Sequence, residues 1–120
     1  MKITLISFGR KYGVPEADIV LDMRCLENPF WVAELKEKSG LEPEVQNYIF
    51  SNPESKEYLQ NLFALLRLQI KLSLDRSRKN LTVAVGCTGG RHRSVAVAEF
   101  LAKELQDHEI SLIHRDIGRG

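Results

Sequence analysis

One stretch constrains this chain more than any other. The apolar residues 81–85 run directly into Gly86-Cys87-Thr88-Gly89-Gly90-Arg91-His92-Arg93-Ser94, and an amphipathic segment follows at once. A short apolar run closed by glycine reads as a buried strand. Residues 91–106 read as a helix with Val95, Ala98, Leu101, Ala102 and Leu105 turned inward. Strand, tight turn and helix N-terminus in that order require a sheet with a helix lying on it. The same unit suits anions, because the first amides of a helix lack intrahelical partners and lie at the positive end of its dipole. Gly86, Gly89 and Gly90 let successive N–H groups converge. Arg93 adds a planar fork of donors, and Thr88, His92 and Ser94 add shorter ones.

The rest of the chain repeats the alternation. Residues 2–8 and Ile19-Val20-Leu21 read as strands one and two, residues 81–85 as the third and residues 110–113 as the fourth. Residues 10–15 read as a loop, residues 30–35 as a helical turn or two in which Phe30 and Trp31 pack, and residues 43–50 as a short helix. A long helix starts at Pro53 behind an Asn52 cap. Leu59, Leu62, Phe63, Leu66, Ile70 and Leu74 form its apolar stripe; Leu65, Leu68 and Leu72 widen it, which predicts burial on more than one side. The expectation is one α/β domain over residues 1–120: three layers, about four mostly parallel strands flanked by helices, with the phosphate-binding loop between strand three and its helix. Strand order stays open.

Composition removes several functions. With 17 Lys and Arg against 16 Asp and Glu, the net charge of +1 excludes a uniformly basic nucleic-acid binder, though not a local basic face. There is no G-x-x-x-x-G-K-[ST] and no metal-ligand spacing, so neither a bound metal nor another cofactor is expected. No apolar run approaches the roughly 20 residues of a membrane span. Two cysteines, Cys25 and Cys87, fit free thiols in a reducing cytoplasm; a disulfide between them is the alternative.

Cys87, Gly90 and Arg93 also satisfy C-x-x-G-x-x-R with Ser94 next, similar to the signature loop of cysteine-dependent phosphatases and arsenate reductases. Two readings remain open: a non-catalytic anion-binding module, or a phosphatase with Cys87 as nucleophile, Arg93 on the transition-state oxygens and Asp22 as general acid. Against the enzyme, Gly86 stands where such phosphatases usually carry histidine. In a parallel sheet Asp22 and Arg24 emerge after strand two at the edge that carries the loop. His114 and Arg115 follow strand four, and Arg10, Lys11 and Tyr12 follow strand one as a basic rim with an aromatic.

Phe8-Gly9-Arg10-Lys11-Tyr12-Gly13-Val14-Pro15, Ala17-Asp18, Leu21-Asp22-Met23-Arg24, Asn28-Pro29 and residues 85–95 together resemble the C-terminal domain of the RapZ RNase-adapter family, in order over nearly the whole chain. The resemblance implies a domain standing without the family's P-loop nucleotide-binding domain, which would be a separate partner. It implies binding of glucosamine-6-phosphate or a similar sugar phosphate by Asp22, Arg24, Thr88, Gly89, Gly90, His92 and Arg93; Cys87 and Ser94, read from the loop itself, complete the candidate ligand-binding set. It further implies contact with small regulatory RNA through Lys11, Arg91, His114 and Arg115. The apolar excess on the long helix, with Trp31, suits a homodimer. Phe30 replaces a histidine common in the family, and the basic tail is short.

Overall fold

The computed structural model describes residues 1–119. Strand β1 (Lys2–Gly9) leads through a 3-10 turn, Arg10–Tyr12, to β2 (Ile19–Asp22). A second 3-10 turn, Pro29–Trp31, precedes α1 (Pro43–Phe50) and α2 (Pro53–Asp75). Then come β3 (Asn80–Cys87), α3 (Arg93–Glu104) and β4 (Glu109–His114). The four strands form one sheet in the order β2-β3-β1-β4, every neighbouring pair parallel. The α/β class and the loop between β3 and its helix are as expected.

The strand order fixes where the helices go. Both crossovers, β2 to β3 and β3 to β4, run the same way across the sheet, and right-handed crossovers in one direction place their helices on one face. Helix α3 lies against β1, β3 and β4, with α1 against α3 and α2 against α1. The connection that runs the other way, β1 to β2, holds only a 3-10 turn. The far face therefore keeps Val20 and Ile113 exposed, in one row with Ala84 and Ile6. The inner face carries the core: Ile3, Leu5, Leu81, Val83 and Val85 meet Leu101 and Leu105 of the α3 segment, Val45 and Ile49 of α1, and Leu59, Leu66 and Ile70 of α2.

Three expectations need correction. Helix α2 buries one stripe only: Leu65, Leu68 and Leu72 are 61%, 53% and 47% exposed, and Leu74 is exposed too. Among the described residues nothing packs on that side, because the helices share one face of the sheet. Trp31 is 77% exposed and meets Phe30 edge-on, ring centres 5.2 Å apart, instead of packing inward. Helix α3 begins at Arg93, two residues later than predicted, because Arg91 and His92 are held by the segment before α1. The cap at Asn52 is as read: its side chain accepts from the Glu54 amide at 2.8 Å. Cys25 and Cys87 are both free thiols. Among the described residues, no helix is long and apolar enough to cross a membrane.

Candidate anion-binding site

Because all strands are parallel, Gly9, Asp22, Cys87 and His114 end at one edge of the sheet, and the loop 87–93 rises between them. Gly90 adopts φ +77°, a left-handed conformation that glycine enters without penalty. A Cβ there would also lie 2.5 Å from the Gly9 amide nitrogen, so the turn packs directly on the end of β1. The Gly90 amide donates to the Cys87 sulfur at 3.3 Å, and the Cys87 thiol meets the Ser94 hydroxyl at 3.2 Å. Among the described residues, the amides of Gly89, Arg91, His92, Arg93 and Ser94 donate to no protein acceptor. His92, the cap residue of α3, offers them no side-chain bond either. A cluster of unpaired donors at a buried helix start is what an anion would satisfy.

Arg93 is buried, and its guanidinium has two differently employed edges. Nη1 donates to the carbonyls of Arg24 at 2.9 Å and Leu26 at 3.4 Å, while Nε is buried with no partner among the described residues. A buried unpaired guanidinium nitrogen costs free energy that an anionic acceptor would recover.

The other anticipated residues divide between the mouth and the scaffold. Asp22 is gripped by Arg24, whose Nη2 lies 2.7 Å from Oδ2, and Arg10 approaches within 3.9 Å. The Arg24 hydrogen bond holds its carboxyl at about 2, so it is ionised at any ordinary pH. Thr88 is exposed, and its carbonyl accepts from the Lys11 amide at 3.3 Å. The His92 ring turns away from the seat to the Lys36 carbonyl at 3.1 Å, and Arg91 donates to the carbonyls of Glu37 and Lys38. His114 lies between the Ser7 hydroxyl (2.6 Å) and Glu99 (2.9 Å), built into the sheet edge. Arg115 donates to Asp116 and to the carbonyls of Tyr12 and Gly13.

The sequence reading missed Asp116. It is fully buried and accepts from the Gly9 amide at 2.8 Å and from Arg115, with Arg119 at 3.3 Å. Burial alone would push its carboxyl up; the bonds from Arg115 and Gly9 and the charge of Arg119 outweigh that and hold it below the ordinary value. By fixing Gly9 it fixes the surface on which Gly90 rests. Its place one strand-end away, beside Arg115, was the available signal. Gly86, too, has a structural reason: the Phe8 ring lies on it, leaving no room for any side chain, and Arg10 and Arg115 stack on that ring at 6.0 and 5.8 Å.

The chain is 48% identical over 122 residues to a protein of Saccharopolyspora erythraea named as a nucleotide-binding protein, covering 98% of this chain and 42% of that one. A nucleotide-binding protein of Caldicellulosiruptor bescii is 48% identical over 120 residues, 98% of this chain and 41% of the relative. One from Limosilactobacillus reuteri is 44% identical over 118 residues, with 96% and 41% covered. The chain thus spans about two-fifths of the length of the curated relatives it matches. The family model described as the RapZ C-terminal domain matches residues 1–118, and the chain belongs to that family.

Proposed function

We propose that this domain is a regulatory binding module that seats the phosphate of a small metabolite, an amino-sugar phosphate such as glucosamine-6-phosphate, in the loop 87–93. The reading rests on one observation: a group of unpaired amides beside the orphaned Nε of buried Arg93. Asp22 and Arg24 stand at the mouth as partners for the sugar's amine and hydroxyls, with Asp22 ionised. Thr88 completes the rim.

Two features favour binding over turnover. Asp22 carries no proton to donate to a leaving group, since Arg24 holds it at about 2. The position before Cys87 is closed to histidine by the Phe8 ring. A thermal-shift series with sugar phosphates tests the reading: at 100 times Kd the stabilisation is about 2.7 kcal/mol. Binding is retained in Cys87→Ser, and no aryl phosphate is hydrolysed. Turnover lost in that variant would establish the phosphatase instead.

A second surface supports RNA contact beside the seat. Tyr12 is flanked by Lys11 at 5.2 Å and Arg119 at 5.0 Å, a cation–aromatic stack at the same edge as Arg115. Arg91, His114 and Arg115 are spent on internal partners, so phosphodiester contact falls first on Lys11, with Arg119 also at the Tyr12 ring. Lys11→Ala is expected to lower affinity and flatten its salt dependence. The relatives' nucleotide binding is not assigned to these residues, which contain no phosphate-loop lysine motif; a P-loop nucleotide-binding unit is the partner we propose, in the cytoplasm.

A further inference from the structure

Arg91, His92 and Arg93 are consecutive residues of the anion loop, yet each sends its side chain to the same stretch of chain, residues 24–40. Arg93 Nη1 takes the carbonyls of Arg24 and Leu26; His92 takes Lys36; Arg91 takes Glu37 and Lys38. The main chain joins in, with the Gly40 amide donating to the Arg91 carbonyl at 2.9 Å. Gly40 sits so close that a Cβ would collide with the His92 carbonyl and the Ala96 amide. Residues 24–40 hold only one 3-10 turn of their own and bury Leu26, Pro29 and Leu35. The loop supplies five of their side-chain anchors, beside ties from Gln46 to the Gly40 carbonyl, from Lys38 to Glu44 and from Arg24 to Asp22.

We infer that residues 24–40 form a strap whose fastening is set by occupancy of the anion seat, with Arg93 as the link. This rests on the anion-seat reading above. A guanidinium is a rigid planar fork. Nη1 already holds the strap at Arg24 and Leu26 while Nε is unpaired, so an oxyanion on Nε fixes the plane of the fork and with it both carbonyls. The converse follows from linkage: a strap released from the loop lowers anion affinity by the factor through which the anion tightens the strap. The strap displays the Phe30–Trp31 pair, and Lys36 stacks on Phe30 at 4.6 Å. Occupancy of the seat is thereby converted into the position of an exposed aromatic pair.

Trp31 is the one tryptophan of the chain, which makes the strap readable. Hydrogen exchange of the full chain is measured with and without saturating inorganic phosphate, alongside Trp31 emission and melting temperature. The expected result is a rise in melting temperature and exchange in residues 24–40 slowed by about fivefold or more. Trp31 emission changes with it, and the C-terminal half of α2 is unaffected. Gly40→Ala, whose Cβ would push against the His92 carbonyl and the Ala96 amide and so wedge the strap from the loop, is expected to weaken phosphate binding and abolish the Trp31 response. A raised melting temperature with unchanged exchange and emission overturns the strap and leaves the seat standing. No change in melting temperature overturns the seat, and the strap with it. Wild-type exchange decides the matter even where Gly40→Ala fails to fold.

Discussion

Helices α2 and α3 look alike in sequence, both apolar along most of their length, and they do opposite things. In α3, residues 93–98 and Leu101 are all buried, including Arg93 and Ser94 of the site. In α2, nearly twice as long, only Ser55, Leu59, Leu66 and Ile70 are buried, and a leucine stripe faces outward. The difference comes from topology. Helix α3 is pressed between three strands and α1, whereas α2 meets the domain along one stripe. The loop 87–93 opens from the well-packed helix, so its backbone amides are held in place by the packing of α3, the condition under which electrostatic recognition is strongest.

Core truncation should break the comparison most visibly. Leu101→Ala on α3 is expected to cost about 2–5 kcal/mol, read from the urea midpoint. Next comes Gly90→Ala, which forces a side chain into the left-handed region at about 1–2 kcal/mol and against Gly9; stability falls by that amount, and phosphate binding falls further. A smaller, pH-dependent effect belongs to His92. Burial lowers its imidazole below 6.5, against the upward pull of the Lys36 carbonyl. Since the folded value is the lower one, the stability it contributes is present above 6.5 and is lost as pH falls through the folded value. The melting temperature should decline with acidification in that window, and less so in His92→Gln. Leu68→Ser on the exposed stripe should change stability by about 0.5 kcal/mol or less. A large loss there would mean that α2 is covered by another molecule, which would sharpen the comparison into a case for self-association.

The parts of this protein that are local were legible in its residues. The Asn52–Pro53 start of α2, the bounds of α1 and the strand–glycine–helix unit each depend on near neighbours in the chain. The exposed face of α2 was not legible, because apolar spacing at 65, 68 and 72 says which residues share a face and nothing of what lies opposite. The same limit hid the roles of Arg91, His92 and His114: their residue types suit anions and RNA, while their partners lie 53, 56 and 107 residues away. Asp116 escaped for the same reason, since its partner Gly9 is 107 residues distant and only the pairing of β1 with β4 brings them together.

The central claim is that unpaired amides and the free edge of Arg93 seat a tetrahedral oxyanion. Calorimetric titration with glucosamine-6-phosphate and with unphosphorylated glucosamine, on the wild type and Arg93→Ala, tests it most directly. The account predicts binding of the phosphorylated sugar only, weakened about tenfold or more in the variant, since about 1.4 kcal/mol corresponds to a factor of ten. Equal binding of the two sugars, or undiminished affinity in Arg93→Ala, would contradict it.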